Sequence, residues 1–159
     1  MEPPSSHCIT VINETDRVIR TNRLKVAVST ALKMHGKAGL GACILLTTDD
    51  QIQDLNRTYR GIDESTDVLT FIAGDFAGDT LGDIAISVPY AQRQSTARRV
   101  SLAQELGFLA IHGALHLVGF DDQTESERAE MVRQMNLVAM EVGLKPDTEW
   151  ASILHGELA

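Results

Sequence analysis

Aromatic side chains are scarce in this protein, at 4% of 159 residues. The interior must therefore be built mainly from aliphatic residues, and the few rings carry unusual weight. Cysteine is scarcer still: Cys8 and Cys43 are spaced like neither a zinc ribbon nor a redox pair. Each reads as a buried strand residue, in keeping with a reducing cytoplasm. A long apolar run is also missing. The nearest approach, 106–118, is broken by His112, Gly113 and His116, which excludes a spanning helix there. The first residues, Met-Glu-Pro-Pro-Ser-Ser, are acidic and polar, the opposite of a secretory leader. These absences predict a cytoplasmic protein with no membrane partner.

Basic charge is short as well. Fourteen Lys and Arg against 22 Asp and Glu leave a net charge of −8. That excludes non-specific nucleic-acid binding over the whole surface, although not through a local patch. Between Gly61 and Gln92 there is no Lys or Arg, while Asp63, Glu64, Asp67, Asp75, Asp79 and Asp83 are present. Arg93, Arg98 and Arg99 follow at once, and Arg17, Arg20, Arg23 and Lys25 cluster earlier. Most of these charges read as solvated faces; the 93/98/99 group is the candidate patch for an acidic ligand.

What is present is ordered. The length fits a single domain, 1–159, with a core that needs no staples. Residues 8–13 and 42–47 read as short strands, and 66–72 with 82–87 as two more, joined as a hairpin by a Gly/Asp-rich loop. From Asn22, Leu24, Ala27, Val28, Ala31 and Leu32 make the stripe of a buried helix, stopped by Gly36 and Gly39. Thr48 with Gln51, Ser101 with Gln104, and Thr124 with Glu127 are capping-box signatures opening three further helices. Pro89 opens a short one. The last helix carries Met131, Val132, Met135, Val138, Ala139 and Val142 on one face and ends at Gly143. The tail after it has no periodicity, and Trp150 is the residue that would pin it to the body. Strands early and helices late predict an α+β fold: a small mixed sheet of about four strands covered by about five helices.

The chemistry concentrates in His112-Gly-Ala-Leu-His116-Leu-Val-Gly119-Phe-Asp121-Asp122. Histidines four apart share a helix face, with Cβ atoms roughly 5–6 Å apart. Gly119 can end the helix in a left-handed conformation, and the chain returns with Asp122. Two histidines and a carboxylate leave the fourth position of a catalytic metal site open. In zinc proteases the residue after the first histidine is a glutamate acting as base; here it is Gly113, which cannot accept a proton. Glu105 lies on roughly the same face but two turns away, so it reads as a supporting or surface carboxylate.

The same motif resembles the His-Gly-x-Leu-His-Leu-x-Gly-(Tyr/Phe)-Asp-His signature of the YbeY family of metal-dependent endoribonucleases. Leu55-Asn-Arg-Thr-Tyr59-Arg60-Gly61, Thr66-Asp-Val-Leu-Thr-Phe71 and Leu81-Gly-Asp-Ile84 are similar to further family landmarks, in the family's order. The likeness spans about 9–143 and leaves 144–159 outside. It implies catalytic roles for His112, His116 and Arg60, with the two histidines ligating a single Zn2+ and Arg60 binding phosphate beside it. It also implies single-stranded RNA as substrate, maturation of ribosomal RNA at the small-subunit 3′ end, ribosome quality control, and a ribosome or small-subunit protein as partner. One position departs. Asp122 stands where the family has its third histidine; it can still ligate, but would make the ion a weaker Lewis acid and favour harder divalent metals. The alternatives are a metallohydrolase of another substrate class and a non-catalytic ribosome-assembly factor with a degraded site.

Overall fold

The computed structural model describes residues 8–74 and 78–152. Four strands, β1 (Ile9–Asn13), β2 (Gly41–Thr47), β3 (Val68–Ile72) and β4 (Thr80–Ser87), form one sheet in the order β1-β2-β4-β3. β1, β2 and β4 run parallel and β3 is antiparallel to β4, so the sheet is mixed. Five helices accompany it: α1 (Asn22–Met34), α2 (Asp49–Arg60), α3 (Val88–Arg98), α4 (Leu102–Leu117) and α5 (Glu125–Val142). The α+β architecture expected from the sequence is the one observed. Its boundaries shift slightly. β3 starts at Val68 rather than at residue 66, because Thr66 and Asp67 are buried and engaged in side-chain hydrogen bonds.

The parallel pairing of β1 with β2 requires a crossover, and α1 supplies it. Its stripe of Leu24, Ala27, Val28, Ala31 and Leu32 is buried against one aliphatic core with Ile44, Leu46, Ile84 and Ile86 from the sheet. α4 lies through the middle of that core, buried from Glu105 to Leu115. A helix apolar nearly all round has no other stable place in a two-layer fold. The capping signals do their local work. Thr48, Ser101 and Thr124 each accept a hydrogen bond from the backbone N–H three residues on. The Thr124 box is complete, with Glu127 accepting in return from the Thr124 N–H at 3.0 Å.

The cysteines are half-buried rather than buried. Cys43 sits on β2, and burial is the main cause holding its thiol above the usual range. No described helix is long and apolar enough to cross a membrane.

Candidate metal centre

α4 carries His112 and His116 on adjacent turns. The helix packs on β4 so closely at Gly113 that a Cβ there would stand 2.6 Å from Ile84 Cγ2. The position where zinc proteases keep their glutamate therefore has no room for any side chain. After Leu117 the helix stops, with Val118 as its cap and Gly119 at φ +107°, a conformation that favours glycine. The Phe120 N–H then closes on the Leu115 carbonyl at 3.0 Å, turning the chain back toward the histidines. The return loop is fixed from both ends. Asp121 accepts from the Asp122 N–H at 2.8 Å, and Arg128 of α5 donates to the carbonyls of Asp122 and Gln123.

The result is a triangle of ligand-type atoms. His112 Nε2 and His116 Nε2 are 3.2 Å apart, and each is 3.4 Å from Asp122 Oδ2. His112 and Asp122 are buried and His116 is half-buried. A tetrahedral ion with bonds of about 2.0–2.2 Å spaces its ligands about 3.3–3.6 Å apart. The triangle matches that spacing, so the three side chains fit one divalent cation.

Beside it opens a cavity of about 290 Å³ lined by both histidines, Arg60, Thr70, Phe120 and Asp121, with Val68, Ile72, Gly119 and Gln123 completing the wall. Arg60, the last residue of α2, donates through Nη2 to the Thr70 carbonyl at 3.1 Å. That bond ties the guanidinium to β3 rather than to the carbonyls of its own helix end. Val68, Thr70 and Ile72 reach the cavity because alternate residues of a strand share a face; that signal lay in the 66–72 pattern, although only Arg60 and the motif residues drew attention.

The basic group at 93/98/99 does not form a patch. Arg93 pairs with Asp49 at 3.0 Å. Burial pushes the Asp49 carboxyl up, but hydrogen bonds from Arg93, Ser87 and Ser65 outweigh it and hold it below its usual range. Arg98 turns inward to buried Glu105 at 3.2 Å and to the Ala151 carbonyl. Arg99 is exposed and caps α3 at φ +59°. Residues consecutive along a helix end diverge by about 100° each, so their charges part company.

Glu105 is buried and not a surface carboxylate. Both its oxygens accept from Trp150 Nε1 at 3.3 Å as well as from Arg98. Burial is the main cause that lifts its carboxyl to about 7, against the pull of Arg98 and of the indole N–H. Trp150 itself packs on His112, with ring centroids 5.2 Å apart.

The model of the family described as Endoribonuclease YbeY matches residues 10–143. Endoribonuclease YbeY of Moorella thermoacetica is 42% identical over 135 residues, covering 78% of this chain and 85% of that protein. Endoribonuclease YbeY of Bacillus cytotoxicus is 32% identical over 151 residues, covering 86% and 97% respectively. Among solved structures, the solution structure of TM1509 from Thermotoga maritima superposes with a TM-score of 0.60 at 25% identity, covering 84% of this chain and 90% of that one.

Proposed function

The chain belongs to the YbeY family of endoribonucleases, and on that premise we propose that it is a metal-dependent endoribonuclease that cuts single-stranded RNA in ribosomal RNA maturation. The observation that carries this reading is the convergence of His112, His116 and Asp122 on one point, with both histidines lining a cavity that also holds Arg60.

In this reading the three side chains ligate one divalent ion, which supplies Lewis acidity toward a phosphate oxygen and acidifies water. The protein's own groups do the rest. Arg60 holds the scissile phosphate through charge-assisted N–H bonds, with its fork restrained by Thr70. Val68, Ile72 and Phe120 give the cavity apolar walls that limit bulk water. His112, the more deeply buried ligand, sets the position of the ion, and half-buried His116 faces the substrate side. Peptide hydrolysis in the zinc-protease manner lacks its base, since the Ile84 contact leaves position 113 no side chain.

The ion is Zn2+ in the family manner, and the Asp122 carboxylate widens tolerance toward Mn2+ or Fe2+. The substrate end is the small-subunit 3′ terminus, with a ribosomal protein as docking partner, a further role in ribosome quality control, and the cytoplasm as compartment. Elemental analysis of the native chain, Asp122→Ala and Asp122→His, each assayed on single-stranded RNA beside casein, tests the proposal. The native chain should carry one ion and cut RNA only; Asp122→Ala should lose both, and Asp122→His should keep both. Metal retained by Asp122→Ala removes Asp122 from the ligand set, and RNA cleavage indifferent to His116→Ala removes the metal mechanism.

A further inference from the structure

Behind the metal ligands lies a packing arrangement that the reaction as described does not use. Residues 145–152 follow α5 and are strapped back over α4. Gln104 donates to the Lys145 carbonyl at 2.7 Å and accepts from the Lys145 N–H at 3.1 Å. Asn136 does the same for Asp147, at 3.1 and 2.6 Å. Ser152, at the far end, donates to both oxygens of buried Asp67, at 2.8 and 3.0 Å. Between these anchors Trp150 is driven into the core and left 4% exposed.

Its surroundings are specific. Glu105, Phe108 and His112 occupy one face of α4, and all three touch the indole: Glu105 through Nε1, Phe108 at 6.0 Å and His112 at 5.2 Å between centroids. The Arg98 guanidinium covers the ring at 5.1 Å. The His112 imidazole thus stands between two rings, with His116 edge-on at 4.7 Å. Next to this contact is a cavity of about 170 Å³ lined by His112, Asp122, Met131, Met135 and Trp150. Without the indole, that void would extend along the imidazole that Trp150 now covers.

We propose that Trp150 is a positioning residue for the metal centre: the strapped tail holds the indole against His112 and thereby fixes the ring that presents the first ligand nitrogen. This rests on His112 being a ligand in the centre proposed above. Residues around a ligating histidine set its orientation, and their loss costs about 10–100-fold in metal affinity. Trp150 acts through His112 and touches no substrate.

The test is Zn2+ affinity of the metal-stripped full chain, read by competition with a chromophoric chelator, for the native protein, Trp150→Ala, Trp150→Leu and Trp150→Phe. Trp150→Ala and Trp150→Leu should bind Zn2+ about tenfold more weakly, and Trp150→Phe, which keeps a flat ring, within about threefold of native. If Trp150→Ala does not fold, Trp150→Leu carries the same expectation. The His112 imidazole signals of the folded, metal-free chains give a readout that loss of global stability leaves alone; they should broaden in the Ala and Leu variants and stay sharp in Phe. Equal Zn2+ affinity in all folded variants, or a loss in Trp150→Phe equal to that in Trp150→Ala, overturns the proposal. A native chain that takes up no Zn2+ instead sinks the metal centre itself, and this inference with it.

Discussion

On one side of the His112–His116–Asp122 triangle lies an open cavity walled by Arg60, Thr70 and Phe120; on the other lies the packed tail, with Trp150 between Glu105 and His112. The open side offers a cation tethered by a single backbone bond, which leaves its remaining donors for a ligand. The packed side contains charges too, but they are already partnered: Arg98 with Glu105, and Asp67 with the Ser152 hydroxyl and the Val68 N–H. The same residue types thus serve opposite purposes. A charge left short of partners beside solvent can recognise a phosphate, whereas a charge saturated inside the core can only hold a shape. Changes on the open side should alter chemistry at constant stability, and changes on the packed side should act on stability first, reaching the chemistry only through Trp150 and His112.

The largest effect is expected on the triangle, which belongs to both sides. His116→Ala removes one of the three proposed ligands and should weaken Zn2+ binding by more than about a hundredfold, beyond what loss of a supporting residue costs. RNA cleavage should fall to background. Chelator competition and a gel assay on single-stranded RNA check the two halves separately. Next comes Arg60→Ala on the open side. It should lower kcat/KM for RNA about 10²–10³-fold, as loss of an oriented charge-stabilising donor does, with Zn2+ content and melting temperature unchanged. A melting temperature that falls along with activity would put Arg60 in the structural class and erase the contrast between the sides.

On the packed side the observable is stability, and its pH dependence has a definite sign. The Glu105 carboxyl titrates at about 7 in the folded chain against an ordinary value of 4.5. Below 4.5 both states hold the proton. Between 4.5 and 7 the folded chain retains a proton that the unfolded chain has lost, so stability falls as pH rises through this window and levels off above about 7. From pH 5 to pH 8 the loss from this group is about 2–3 kcal/mol. Glu105→Gln keeps an acceptor for the indole N–H but cannot ionise, so its urea-unfolding free energy should fall less over the same range. Equal slopes for the two proteins would show that Glu105 does not carry the dependence.

The sequence made local features readable and long-range ones not. Thr48, Ser101 and Thr124 announce their helices because a cap is a contact over three residues. His112, His116 and Asp122 are legible for the same reason, lying within one helix end and its return loop. The pairings of Glu105 with Trp150 and of Asp67 with Ser152 join residues 45 and 85 positions apart and follow no period. The unperiodic tail offered only its lone tryptophan as a hint. Arg93, Arg98 and Arg99 misled for the converse reason: they are neighbours in sequence, but the helix end aims them at Asp49, at the core and at solvent.

That divergence gives the smallest expected effect and the sharpest control for Arg60. Arg93 is over half exposed and already pairs with Asp49. An exposed pair of this kind contributes about 0–1 kcal/mol, so Arg93→Gln should barely move the unfolding midpoint. Its charge is offset where it stands, so RNA affinity should change by less than about threefold, and the slope of log affinity against log salt by less than the roughly 0.7 that one phosphate contact to a single strand contributes. Arg60→Gln, removing the same unit of charge from the cavity, should lower that slope by about 0.7. Net charge changes identically in the two variants, so any difference between their slopes reports position alone. If both lower the slope equally, RNA follows a surface that runs past Asp49 as well as through the cavity, and the open side is wider than the cavity beside the histidines.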